Sequence, residues 1–436
     1  VVVKTQASEE AMGFQHSQRK SVGIWTEWPH GARWSNEGMT RLLGFIIQGA
    51  AASKEYVFRV VVPASIRSEA EADLGSLNAV AGTDYTIHSP PPGAIAEGDF
   101  VALANFANTN VGVDGWLVLY PYFHHALMLD APVATIFPDA IPITFPVHDP
   151  AAWGEDGYHF RWRNQVQELL SGSHRVITFS RHVATEQATP LFGVDPSKIR
   201  IVPHAAPDLI DLLPFVSNRQ KTKASLSEAA QILRQHAAER GWRYFTNYPF
   251  EEIDYIAVST QDRVTKNLRI VAEAFRFLVR ENRVNIKLIM TAPLHFGATW
   301  TALPGLIERE QLIPDIVSMT DLPRPVHAAF YHCAKLTVHP SIFEGGLGPF
   351  PFYESVSVGT PCLMAAGPHT RELLDDAPEL NDYMFDPNDS LGLVKLIKYV
   401  VSNPVSAIDK QLGIFEQLVA RGWDQVAADY ASSAIY

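Results

Sequence analysis

The sequence predicts a two-domain α/β protein built on parallel sheets. Three observations predict it. Short apolar runs alternate with stretches of helical periodicity over residues 22–205, the alternation breaks over 208–242, and it restarts at 255. The chain has 436 residues, 47% of them hydrophobic and 19% charged, which is enough for two or three domains with sizeable cores.

The elements follow in chain order. VGIWTEW (22–28) reads as a buried strand, followed by a polar loop and a helix from about Glu37 to Ala51. VFRVVVP (57–63), FVALAN (100–105), WLVLYPY (116–122), APVATIFP (131–138), RVITFS (175–180) and IRIVPHA (199–205) read as further strands, with FRWRNQVQELLSGS (160–173) as a helix between two of them. Residues 208–242 read as the interdomain connection with an inserted helix at about 225–240. YIAVST (255–260) reopens the alternation. A helix follows over 267–282, with Asn267 as its expected N-cap and Leu268, Val271, Phe275 and Leu278 on one face. NIKLIMTAP (285–293), IVSMTD (316–321), AKLTVHPS (334–341) and TPCLMAA (360–366) read as strands, and the tail from about Pro404 as helices.

Composition excludes several classes. A formal net charge of −12 and a pI near 5.7 argue against a nucleic-acid binder and weaken electrostatic docking on an anionic membrane. Two cysteines, Cys333 and Cys362, make neither a disulfide framework nor a CxxC metal site, as expected in a reducing cytoplasm. No apolar run reaches the roughly 18–20 residues of a membrane span. The start lacks a secretory pattern and a first Met, so the chain reads as a fragment or a trimmed product. The expected location is cytoplasmic or at the inner face of the membrane, with peripheral membrane contact left open.

Tandem parallel domains leave a cleft between the carboxyl ends of their strands, where open α/β sheets bind ligands. The stretch HPSIFEGGLGPFPFYESVSVGTP (339–361) lies at such a strand end. Its glycines let backbone approach a ligand, and the following helix N-terminus suits a phosphate. Glu344 and Glu354 can each accept hydrogen bonds from vicinal sugar hydroxyls. The plainer reading is a turn with a dipole-favoured Glu.

The segment resembles the signature of the retaining family 4 glycosyltransferases of GT-B fold: Ser341, Glu344-Gly345, Glu354 and Gly359-Thr360-Pro361 keep its order. Nine residues separate the glutamates where the family has seven, the two extra residues falling in the Gly-Pro-Phe-Pro part. STQDRVTKNLRIVAEAF (259–275) is similar to the family's Arg-Lys-Asn segment, and 176–208 to the stretch closing its N-terminal domain. ATIFPDAIPITFP (134–146) resembles the family's Thr-x-His-Asp-x-x-Pro, with Pro138 in place of the His and Asp139 and Pro142 kept.

The resemblance implies two Rossmann-like domains with parallel sheets facing across a cleft. The N-terminal, acceptor-binding domain would span 1–210 with 416–436 crossing back; the C-terminal, nucleotide-sugar domain would span 211–415. It implies a retaining hexosyl transfer from a GDP- or UDP-linked sugar to a glycan or lipid-linked acceptor, in surface polysaccharide synthesis. Lys266 and Arg263 would offset charge on the departing diphosphate and Glu344 would hold the donor sugar. Glu354 would hold the ribose, while Gly345, Gly346, Leu347 and Gly348, with Gly38 of the N-terminal loop, would line the donor. Asp139, His30 and Asn36 would face the acceptor. His124 and His125, adjacent near a strand end, are expected to point to opposite faces and to pack; His204 stands where the family often has Asn.

No two aspartates are separated by one residue, and neither HExxH nor a Cys/His cluster is legible. No metal or other cofactor is therefore expected. Rival readings keep the fold but make it a nucleotide-sugar epimerase, a phosphorylase or a non-catalytic sugar-binding protein. An NAD-dependent dehydrogenase would need GxGxxG after a strand, and GGLGPFPF lacks that spacing.

Overall fold

The computed structural model describes residues 19–28, 34, 38–145, 157–294 and 303–436. It contains two sheets. β1 (Lys20–Trp25), β2 (Tyr56–Val61), β3 (Tyr85–His88), β4 (Gly115–Val118), β5 (Val133–Ile136), β6 (Arg175–Thr178) and β7 (Ile199–Ile201) run in the order β3-β2-β1-β4-β5-β6-β7. β8 (Tyr255–Val258), β9 (Lys287–Met290), β10 (Ile316–Ser318), β11 (Leu336–His339), β12 (Cys362–Ala365) and β13 (Met384–Phe385) run in the order β10-β9-β8-β11-β12-β13. Every pairing is parallel. Strand order reverses between β1 and β4 and again between β8 and β11, so each sheet opens a crevice at those carboxyl ends.

Helices on both faces explain why β4, β5, β8, β11 and β12 are buried throughout. A Cβ on Gly23 would sit 2.1 Å from the Trp116 ring, so glycine is what lets β1 lie beside that indole. The Trp423–Ile435 helix buries Val426, Ala427, Tyr430, Ala431 and Ala434 in the core of the first sheet. It meets the Gly38–Ser53 helix so closely that a Cβ on Gly49 would lie 2.1 Å from the Trp423 carbonyl oxygen. The Lys223–Glu239 helix, within the stretch that breaks the alternation, starts at a Thr222–Ser225 capping box and packs against the Arg324–Cys333 helix.

Three sequence expectations need correction. FVALAN is the start of a helix, Phe100–Asn110, because the Asp99 carboxylate accepts the Ala102 N–H at 2.9 Å and caps it. Asn267 is no side-chain cap: its φ is +45°, and its amide donates to the Pro387 carbonyl at 2.9 Å. TDYTIH holds an unforeseen strand, β3, short and half-buried along most of its length. Among the described residues, no single helix is long and apolar enough to cross a membrane.

Candidate functional site

The crevices of the two sheets face one another across a cavity of about 540 Å³, within the range that holds small ligands. The second domain supplies Arg263–Lys266, Phe343–Gly346, Gly348 and Phe350; the first supplies Gly38, Met39, Leu42, Pro138, Asp139, Ile141, Phe145, Phe179 and His204. Both walls come from loops after strands. The 3-10 turn Val264–Lys266 follows β8, and the 340–349 loop follows β11. The Ile342 N–H donates to the Thr265 carbonyl at 2.8 Å, and the Ser341 hydroxyl spans the Thr265 and Phe343 carbonyls at 3.2 and 3.0 Å. Those bonds fix the two loops against each other. Gly348 then turns with φ +74°, its N–H donating to the His369 carbonyl at 3.0 Å.

The loops bring Lys266 Nζ to 2.5 Å from Glu344 Oε1. Burial works against the charge of Glu344, yet Lys266 first and His339 next hold its carboxyl well below the ordinary range. His339 Nε2 lies 3.1 Å from the same oxygen without the alignment of a hydrogen bond. Behind it stands buried His369, which burial pushes down to about 3, so this ring is neutral. Asp139 faces the pair from the other domain. Burial holds its carboxyl above the ordinary range, against the smaller opposing pull of the Ile141 N–H, Lys266 and Arg263.

Most predicted residues therefore meet: Lys266, Glu344, Arg263, Gly345, Gly346, Gly348, Gly38 and Asp139 all line one cavity. Two do not. Leu347 packs with the cluster of Phe352, Tyr353 and Leu373. Glu354 lies on the Phe350–Ser357 helix behind the cavity wall, fully buried, where Arg41 of the other domain pairs with its Oε1 and the Tyr331 hydroxyl donates to Oε2 at 3.3 Å. Burial would raise its carboxyl, but Arg41, then His327, brings it below the ordinary range. His30 and Asn36 lie outside the described residues.

Several members of this site were not read from sequence. Arg41 carries no local signal, since its partner is 313 residues away. His339 opens the very stretch that was singled out and was passed over. Contacts between domains were likewise invisible. The Ser180 hydroxyl donates to the Gly345 carbonyl at 2.9 Å, and the Arg181 and His182 N–H groups share the Glu372 carboxylate at 2.8 and 3.1 Å. Gly345 comes so near the first domain that a Cβ there would overlap the Pro138 carbonyl oxygen at 1.7 Å. The His204 ring lies tilted against those of Phe179, Phe350 and Trp423, its Nε2 3.3 Å from the Tyr430 hydroxyl.

No family model and no curated protein matches the sequence. Solved structures do match. Sucrose-phosphate synthase from Thermosynechococcus elongatus superposes with a TM-score of 0.65 at 13% identity, over 94% of this chain and 97% of that one. Anabaena HepE in complex with UDP-glucose gives 0.63 at 13% identity, over 95% and 99%. A glycosyltransferase from Rickettsia africae gives 0.60 at 12% identity, over 95% and 97%. With two all-parallel sheets of seven and six strands around one cleft, the chain has the GT-B fold of these proteins.

Proposed function

We propose that the protein is a retaining glycosyltransferase that moves a hexose from a nucleotide diphosphate sugar to a glycan or lipid-linked acceptor without a metal ion. The observation that carries this reading is the Lys266–Glu344 pair, set in a glycine-rich loop on the cavity floor and faced by Asp139. The work of such a reaction is to stabilise negative charge on the departing diphosphate. Lys266 and Arg263 bring two positive charges to the cavity, and Gly38 and Met39, at the N-terminus of the Gly38–Ser53 helix, line it, where the helix dipole favours negative charge. Fixed donors of this kind are each worth about 3 kcal/mol in other enzymes.

Glu344, ionised beside Lys266, accepts hydrogen bonds from hydroxyls of the donor sugar. The acceptor hydroxyl enters from the Asp139 side. As its oxygen bonds to the anomeric carbon, the bond from that carbon to the diphosphate breaks on the same face. The hydroxyl proton passes to the departing phosphate oxygen, so configuration is kept with no protein nucleophile. Glu354 takes the ribose once Arg41 releases it. The absence of an Asp-x-Asp pair supports cation-assisted rather than metal-assisted departure. The UDP-glucose in HepE supports a uridine donor, and a guanosine donor is the alternative. The acceptor class points to surface polysaccharide synthesis, in the cytoplasm or at the inner face of the membrane.

The test is nucleotide release and glycan formation by the purified protein over a panel of UDP- and GDP-sugars, with and without acceptors. Glu344→Ala is expected to abolish transfer with little loss of thermal stability. A fully active variant refutes the assignment.

A further inference from the structure

We propose that Glu27, His124 and His125 form a binding site for one divalent transition metal ion, zinc by preference, at the carboxyl edge of the first sheet. Among the described residues this is the one cluster of three or more carboxylate, imidazole or thiol side chains close enough to share an ion. Glu27 stands two residues past the end of β1, and the histidines open the 3-10 turn His124–Met128 that follows β4. In an extended strand, adjacent side chains point apart, which is why the pair was expected to diverge. A 3-10 turn has about three residues per turn, so neighbours differ by about a third of a circle. The two rings accordingly lie on one side, 4.1 Å apart between centroids.

The spacing suits an ion. His125 Nδ1 is 2.8 Å from Glu27 Oε2, and one ligand atom from each of the three residues lies within 4.8 Å of the others. Tetrahedral zinc with bonds of about 2.0–2.1 Å separates its ligand atoms by about 3.3 Å, between those two values. The carboxylate is already oriented: the Trp25 indole N–H donates to its other oxygen, Oε1, at 2.7 Å and leaves Oε2 for the ion. The His124 ring lies against that of His125, and its Nδ1 makes a long contact of 3.5 Å with the Tyr122 carbonyl, so little polar bonding would be lost if it took an ion.

Charge leads the same way. Glu27 is almost fully buried, and a buried carboxylate needs a positive partner. A divalent ion would offset the buried carboxylate with both rings neutral. Two imidazoles and one carboxylate favour zinc or its first-row neighbours over magnesium or calcium, and they leave a fourth position open.

None of the three residues lines the interdomain cavity, so this ion would not touch the donor diphosphate. It would tie the end of β1 to the turn after β4. The inference therefore stands apart from the reading of the donor site.

The test uses the full chain, stripped of metal by a chelator and dialysed. Zinc is titrated by calorimetry, cobalt by visible absorption, and thermal unfolding is followed with each. The expected results are one zinc ion per chain, d–d bands of a nitrogen- and oxygen-bound cobalt ion, and a raised Tm. The chain has 16 histidines, so the site is assigned by His124→Ala. That change breaks no short hydrogen bond and should weaken zinc binding at least tenfold while the metal-free Tm stays put. His125→Ala should weaken zinc binding as well, but it should also lower the metal-free Tm, because it takes from buried Glu27 its 2.8 Å partner. No zinc uptake by the wild type, unchanged affinity in His124→Ala, or equal affinity for magnesium would each overturn the proposal. Unchanged affinity would leave a plain Glu27–His125 hydrogen bond.

Discussion

Arg41→Met should tighten donor binding while loosening the empty protein. Arg41 and Glu354 join the two domains, with the Glu354 side chain 2% exposed and that of Arg41 40% exposed. A ribose can reach the Glu354 carboxylate only after Arg41 leaves it. Breaking a fully buried pair from one side costs about 3–5 kcal/mol, and an exposed pair is worth about 0–1. With one partner buried and the other open to water, about 1–2 kcal/mol is the reasonable middle. Relieving the donor of that cost lowers its Kd about 5- to 30-fold. Methionine keeps an apolar stem near Phe45 and Phe350, whose rings lie 5.6 and 5.7 Å from the Arg41 guanidinium.

The assays are calorimetric titration with UDP-glucose and a thermal scan without ligand. The expected signs are opposite: a lower Kd, and a lower Tm for the empty protein because Glu354 loses its main partner. Arg41→Met/Glu354→Gln should lose the gain in affinity. A raised Kd in Arg41→Met would mean that Arg41 grips the donor itself. An unchanged Kd would mean that the ribose does not use Glu354. Either result refutes the displacement.

Other expectations are simpler. Lys266→Met should lower kcat by about 10²–10³ with a smaller change in donor KM, since its charge is needed most as the diphosphate leaves; steady-state kinetics decide. Gly345→Ala should cost donor affinity and domain closure together, because its Cβ would collide with backbone rather than a movable side chain; titration and small-angle scattering read both. His332 is fully buried between the Val358 carbonyl and the Ser225 hydroxyl, and burial pushes it down to about 4. Its folded value lies below its unfolded one, near 6.5, so its contribution is intact above pH 6.5 and is lost as pH falls toward 4. From pH 8 to pH 5 this amounts to about 2 kcal/mol. His332→Gln should remove that slope, as measured by denaturant unfolding at both pH values.

Much of the fold was legible because parallel strands buried on both faces are near-continuous apolar runs, which β4, β5, β8, β11 and β12 all are. The same rule misread FVALAN, since its short apolar run, Phe100 to Ala104, also suits a helix. Asp99, just before it, was the signal that decides. β3 was missed for the opposite reason: half-buried YTIH shows no such run. At the site, the residues that came together are those whose placement follows from a strand end and a short loop, namely Lys266, Glu344, Gly345 and Asp139. The partners of Glu354 could not be read, because a helix face shows that a residue is turned inward but not which distant chain segment it meets.

That difference bears on the longer glutamate spacing. In the sequence the two extra residues fall in the Gly-Pro-Phe-Pro part. In the structure Gly348 takes a left-handed turn, and Pro349, Phe350 and Pro351 carry the chain into the helix that holds Glu354. Phe350 thereby reaches the other domain, 6.3 Å from Phe45 and 5.6 Å from His204. The lengthened loop thus delivers an aromatic bridge beside the Arg41–Glu354 pair, so one short segment shapes the interdomain cavity and joins the two domains around it. A donor that displaces Arg41 would therefore be felt at the Phe350 contacts as well, which ties binding of the ribose to the relative position of the two sheets.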